Sequence, residues 1–140
     1  HLDECAGPAQ ALLPPAGAAR RRQLKTMAMA AGLADKAIAL LYEKLMHEQV
    51  SPLWVRRCRT QIRDVLRALE ADQTGLASPF HFGNRPGHAD IMLACALRFI
   101  TEALPDIYSP REWPALESLC QRCEEIPPFD KIHQAFTPPD

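Results

Sequence analysis

Residues 86–100 read PGHADIMLACALRFI, and this segment constrains the fold more than any other part of the chain. Gly87 is acceptable just before a helix, and Asp90 can return its carboxylate to the unpaired backbone N–H groups of the first turn. The residues that follow Asp90 are apolar, with Arg98 as the one polar interruption. Because a helix that is apolar on every side must be covered by other elements, this segment is predicted to be the buried centre of a helical bundle.

Composition limits the classes of protein to which the chain can belong. Its 140 residues are 47% hydrophobic and 24% charged, which suits one globular domain. A net charge of −1 gives no basic surface for nucleic acid or for an anionic membrane. The five cysteines are an odd number and lie mostly in helical patterns, which favours a reducing compartment. We therefore predict a cytoplasmic protein that binds neither nucleic acid nor a membrane.

Apolar residues recur at steps of three and four along most of the chain, and no segment alternates as a strand would. Ser51 and Pro52 form a helix start signal, and proline or glycine separates the other periodic segments. The fold class predicted is all-α, with about five helices around the central one. The helical segments, with the central one included, have approximate bounds of 1–6, 16–48, 51–72, 87–104 and 109–126. A short turn that carries Phe129, Ile132 and Phe136 is predicted after them.

Motifs with known chemistry are absent from the sequence. Cys120 and Cys123 have metal-ligand spacing but lack a second ligand pair, so they are interpreted as core residues and no metal site is predicted. The histidines form no recognisable catalytic set, and His88 is interpreted as a surface or packing residue. The three arginines at 20–22 are interpreted as a solvated helix face, and no phosphate loop or dinucleotide motif occurs.

Five segments follow one another in an order and spacing that resemble the helical C-terminal domain of the cytosolic glutathione transferases. They are HLDE with the proline-rich LLPP linker, GLADKAIALLYE, SPLWVRRCRTQIRDVLRALE, FGNRPGHADIMLACALRF and WPALESLCQRCEEIPPF. The resemblance divides the chain into 1–15, the end of a missing N-terminal domain plus a linker, and 16–140, an all-α C-terminal domain. The family usually carries Ser or Thr where Gly87 stands. Half of a capping box is therefore predicted to be lost, and Gly87→Ser to be neutral or stabilising.

The resemblance implies a function shared between two domains. In the family, a thioredoxin-like N-terminal domain binds glutathione and carries the activating residue, so no catalytic residue and no cofactor bound by this chain alone are predicted. The helical domain supplies dimer contacts and one wall of the pocket for a small apolar electrophile, with glutathione as co-substrate. The alternative is a glutathione-transferase-like module that serves only protein interaction.

The same resemblance names candidate residues in the first long helix. Asp35, in the segment Gly32-Leu33-Ala34-Asp35, is the candidate glutathione contact across the dimer, or else an exposed surface residue. The candidate pocket wall, which could equally be ordinary core, consists of Ile38, Leu41, Tyr42 and Leu45.

Gly32 lies inside a predicted helix, where glycine costs about 1 kcal/mol relative to alanine, so a neighbouring element is expected to approach it. A homodimer interface through the first two long helices would explain this glycine and the row of small or flexible residues beside it. That row is Met27, Ala28, Met29 and Ala31. Packing within one subunit is the alternative.

Overall fold

The computed structural model describes residues 1–138 and is all-α, as predicted. Within this part of the chain there are six α-helices and one short 3-10 helix, Pro110–Glu112. The α-helices are α1 Leu2–Ala6, α2 Gly17–Met46, α3 Pro52–Thr74, α4 His88–Ala103, α5 Pro114–Glu124 and α6 Pro127–Ile132. The sixth helix replaces what the sequence predicted as a short turn near the end of the chain. No helix in the described part is long and apolar enough to cross a membrane.

The core is built around α4, which packs against α2 on one side and α5 on another, while α3 packs against α2 and α5. Leu93, Leu97 and Ile100 of α4 are fully buried. The side chains from the other helices that join the same cluster are also fully buried, namely Leu33, Leu40, Ile62, Leu66, Leu116 and Leu119. The prediction that the segment after Asp90 forms the centre of the bundle is confirmed.

The prediction that α4 is covered on every side is wrong. Met92 is 36% exposed and Cys95 is also exposed, whereas Leu93 and Ala94 between them are buried. The helices packed on α4 therefore leave the side that carries Met92 and Cys95 uncovered. An apolar edge of the central helix is therefore open.

The start of α3 follows the sequence signal. The Ser51 hydroxyl accepts a hydrogen bond from the Trp54 backbone N–H at 3.3 Å, and Pro52 occupies the first turn. The Ser51 backbone N–H donates to Glu43 at 2.6 Å, and this bond is the main reason why the pKa of Glu43 lies below its ordinary value. These contacts fix the sharp turn between α2 and α3.

Candidate functional site

A buried carboxylate at the start of α4 organises the surrounding backbone. Asp90 has no exposed surface, and its oxygens accept bonds from the Gly87 backbone N–H at 2.8 Å and the His81 backbone N–H at 3.0 Å. Its Oδ1 also lies 2.7 Å from Nδ1 of His81, a side chain that is only 6% exposed. Asp90 thus accepts a backbone N–H at the helix start, as a capping residue does, and the carboxylate also holds the loop that precedes α4.

His81 connects this carboxylate to α2. Its Nε2 lies 3.4 Å from the Thr26 hydroxyl, and that hydroxyl donates to the Arg22 carbonyl at 3.3 Å. The order Asp90, His81, Thr26 resembles that of a hydrolase triad, but Thr26 is only 3% exposed and its hydroxyl is bonded to its own helix. The arrangement is a structural link between loop and helix.

The role of His81 could not be predicted from the sequence, because its partner on α2 lies 55 positions away along the chain. The available signal was local. His81 stands between two phenylalanines, in a tight turn closed by a Phe80–Gly83 bridge with Gly83 at φ 86°. A polar ring in such an apolar turn requires a buried partner.

Gly87 is needed because no side chain fits at this position. A Cβ there would lie 2.8 Å from the Leu12 carbonyl oxygen, 2.9 Å from Gln23 Oε1 and 3.2 Å from the Phe82 Cβ. The prediction that Gly87→Ser is neutral or stabilising is therefore wrong. Because position 87 has no side chain, the linker backbone at Leu12 can pass directly over the helix start. Leu12 is far from Gly87 in the sequence, so this close approach could not be predicted from the sequence.

The linker after α1 is fixed to the same helix start. His88 is half-buried, donates its backbone N–H to Leu12 at 3.1 Å and places Nε2 3.1 Å from Asp3 Oδ1. Arg85 donates to the carbonyls of residues 9 and 11 at 3.1 and 2.8 Å. The Leu12 backbone N–H, with a smaller contribution from His88, holds the pKa of Asp3 below its ordinary value. His88 is thus a packing residue.

The candidate ligand residues of α2 lie on its exposed side, with one exception. Asp35 is exposed and makes no side-chain hydrogen bond or ion pair within residues 1–138. Ile38, Tyr42 and Leu45 are 39%, 53% and 45% exposed, whereas Leu41 is 7% exposed and belongs to the core. Three of the four predicted wall residues are therefore available to a ligand.

An apolar groove runs between α2 and the open edge of α4. Its volume is about 490 Å³, and Ala31 and Ala34 of α2 face Ile91 and Cys95 of α4 across it. Met27 also lines the groove, but Met29 packs against the core and Ala28 is exposed. The predicted row of small residues thus does not form one face, because successive residues of a helix point about 100° apart.

Gly32 has free space around it in this structure. A Cβ built there meets no atom within 4 Å, so no element within residues 1–138 approaches it as the sequence predicted. We expect Gly32→Ala to raise the free energy of unfolding of the chain by about 1 kcal/mol, because alanine is the better helix former. Urea denaturation of the 140-residue chain measures this. The control Ala28→Gly, also exposed on α2, should lower stability by a similar amount, and a loss of stability in Gly32→Ala would contradict the expectation.

The end of the described chain, residues 133–137, lies against α4 and is called the C-terminal segment here. The ring of Phe136 contacts Phe99 edge to face, with centroids 5.8 Å apart. Glu102 accepts a bond from the Phe136 backbone N–H at 2.8 Å and pairs with His133 Nε2 at 3.0 Å. One carboxylate therefore holds both ends of this segment.

The Phe136 backbone N–H, with a smaller contribution from His133, holds the pKa of Glu102 below the ordinary glutamate value of 4.5. A carboxyl with a lowered folded-state pKa stabilises the fold at and above its unfolded pKa, and loses that contribution as the pH falls through the lowered value. The contact is thus fully formed at neutral pH.

Cys120 and Cys123 carry thiols that are not activated. Burial raises the pKa of both to about 12; Cys123 is completely enclosed in the core, and Cys120 is partly buried against it. In the part of the chain that the structure describes, no three His, Cys, Asp or Glu side chains are grouped to hold a metal.

Similarity to solved structures identifies the fold. The chain superposes on a glutathione S-transferase from Methylobacterium radiotolerans, solved with glutathione sulfonate, with a TM-score of 0.82 and 25% identity over 99% of this chain and 66% of that protein. A glutathione transferase family member from Pseudomonas fluorescens Pf-5, solved with glutathione, gives 0.74 and 26% over 89% and 60%. One from Methylobacillus flagellatus, at 18% identity, shows the same fold with a TM-score of 0.80 over 89% and 61%. This chain thus spans less than two thirds of these proteins.

Sequence comparison gives the same family. No curated protein matches the chain. The glutathione S-transferase C-terminal domain model matches residues 52–122, just over half of the chain, and this region contains α3, α4 and most of α5. The chain therefore belongs to the glutathione S-transferase C-terminal domain family.

Proposed function

We propose that this chain is the helical part of a glutathione S-transferase that joins glutathione to a small apolar electrophile. In this proposal a thioredoxin-like domain binds glutathione and lowers the pKa of its thiol, since the thiolate is the attacking nucleophile. The helical part contributes no catalytic residue and shapes the electrophile pocket. Solved structures of the same fold with bound glutathione or glutathione sulfonate support the proposal.

The observation that carries the proposal is the exposed apolar strip on α2 beside an unpaired carboxylate. Ile38, Tyr42 and Leu45 are large apolar or aromatic residues with between 39% and 53% of their surface exposed. Exposure of such side chains in a row on one helix typically marks a ligand or partner surface. Asp35 is three residues before Ile38, so it lies at one end of the strip, where it could accept a hydrogen bond from the amino group of glutathione.

Assembly and location belong to the same proposal. We infer a homodimer that pairs through α2 and α3, the arrangement implied by the family, in which Asp35 of one subunit reaches the glutathione of the other. All five cysteines are unpaired, which suits the reducing conditions of the cytoplasm.

Glutathione binding by the full-length protein tests the role of Asp35. We expect Asp35→Ala to leave folding intact and to weaken glutathione binding by about 1.5–3 kcal/mol, less if water screens the site, because one charged hydrogen bond is lost. Isothermal titration calorimetry measures the affinity, and Asp130→Ala is the control because Asp130 is exposed on α6, which is not one of the proposed interface helices. Unchanged affinity in Asp35→Ala would assign this residue to the helix surface.

Turnover of a chloronitrobenzene with glutathione by the same full-length protein separates the two functional classes. Conjugation above the uncatalysed rate supports the transferase. A folded protein that neither binds glutathione nor conjugates it would support the interaction module instead.

A further inference from the structure

Two apolar spaces meet at the ring pair Phe99–Phe136. The smaller, about 360 Å³, lies between this pair and α2 and is lined by Ile38, Leu41 and Tyr42, so it contains most of the proposed electrophile wall. The larger, about 490 Å³, lies on the other side, beneath α6 and the C-terminal segment. Both volumes lie within or near the range of small-molecule sites. The apolar side chains that line the larger space include Ile91, Cys95, Phe99, Phe129, Ile132 and Phe136.

The charged side chains at the rim of the larger space already have partners. Arg98 forms an ion pair with Glu124, and Glu102 accepts the Phe136 backbone N–H and lies 3.0 Å from Nε2 of the His133 ring. A charged ligand would have to break one of these pairs, whereas a neutral apolar ligand would bury its surface without that cost. The chemistry of the space therefore favours a neutral, apolar ligand.

Phe136 stands where the two spaces would join, since it and Phe99 line both of them. We propose that the larger cavity extends the electrophile pocket and that Phe136 determines how long a neutral, apolar ligand the pocket accepts. Glu102 is the positioning residue, because it bonds the backbone N–H of Phe136 and the ring of His133. This inference rests on the proposed function of the wall at Ile38 and Tyr42.

Displacement of a neutral fluorescent probe tests the inference without glutathione or catalysis. The probe is N-phenyl-1-naphthylamine, and the competitors are straight-chain primary alcohols of increasing length. In the wild type, affinity should rise by about fourfold per methylene group and then stop rising at a limiting length. In Phe136→Ala the limit should move to alcohols at least two methylene groups longer, because the two spaces become continuous.

The remaining variants separate this explanation from general loosening of the domain. Glu102→Ala should move the limit in the same direction as Phe136→Ala. Two control variants should leave the limiting length unchanged. Glu112→Ala removes only an exposed ion pair with Arg63, and Phe82→Ala removes a phenylalanine that lines neither cavity. If Phe136→Ala does not fold, by circular dichroism and urea midpoint, Phe136→Leu replaces it and should move the limit by a smaller step.

A limiting length identical in wild type and the Phe136 variant would overturn the inference, and so would an equal shift in Phe82→Ala. An unchanged limit in Glu102→Ala would overturn the positioning role alone. If Phe136 controls the limit but the full-length protein does not conjugate glutathione, the proposed function fails while the assignment of Phe136 stands.

Discussion

Replacing Asp90 with alanine is expected to lower the free energy of unfolding by about 3–5 kcal/mol, because several buried hydrogen-bond donors lose their acceptor at once. The carboxylate is fully enclosed and accepts bonds from two backbone N–H groups and from the ring of His81. Alanine leaves those donors buried without acceptors, each at a cost of about 1–3 kcal/mol. Removing an ordinary exposed helix cap would lower the free energy of unfolding by only about 1–2 kcal/mol. A larger loss would therefore show that the buried hydrogen bonds of Asp90 contribute as well.

Equilibrium urea denaturation, followed by circular dichroism, measures this loss. Asp90→Asn is the matched variant, because the amide keeps the volume and one acceptor oxygen but loses the charge, so its midpoint should lie between those of wild type and Asp90→Ala. Asp64→Ala, an exposed residue paired only with Arg67, should stay within about 0.5 kcal/mol of wild type. Equal midpoints for wild type and Asp90→Ala would refute the capping role.

Gly87→Ser is expected to destabilise the domain by about 1–3 kcal/mol, the usual cost of overpacking. The end of the Gln23 side chain can move away from a new Cβ. The Leu12 carbonyl is backbone, is 2.8 Å from the new atom and accepts the His88 N–H, so its displacement breaks a hydrogen bond. The steric cost should exceed any gain from a serine cap.

Comparing Gly87→Ser with Gly87→Ala isolates the capping contribution, since the two share the Cβ and differ only in the hydroxyl. Both urea midpoints should fall below that of wild type, with serine the less damaging if its hydroxyl reaches the backbone. A Gly87→Ser protein as stable as wild type would show that the linker can withdraw from the helix start at no cost.

Local sequence patterns predicted what depends on local interactions. The first long helix was expected over 16–48 and occupies Gly17–Met46, and the helix begun by Ser51 and Pro52 follows the same rule. Asp90 was identified as a cap because its partner, the Gly87 N–H, is only three residues away. Helical periodicity and helix capping depend on residues that are close in the sequence, so both can be predicted from a single sequence.

What depends on distant partners could not be read in this way. His81 bonds to Thr26 on another helix, and the Leu12 carbonyl excludes a side chain at position 87. Cys95 was expected in the core with the other apolar residues of its helix, but it is exposed. The sequence of a helix that is apolar on every side does not indicate which side its neighbours will leave uncovered. Phe136 was assigned only to a terminal turn, and its contact with Phe99 depends on how the last segment crosses α4.

The attachment of the linker to α4 also has a kinetic consequence. The partners of Arg85 and His88 lie between 74 and 85 positions away along the chain. Each of these contacts closes a long loop, so the conformational entropy of that loop must be lost before the contact can form. Helices α2 and α3 are joined by a short turn and can pair early. The first turn of α4 can reach its final geometry only after both ends of the chain segment 3–88 have met. We therefore expect the start of α4, although it belongs to the central helix, to be among the last parts of the domain to reach its final geometry.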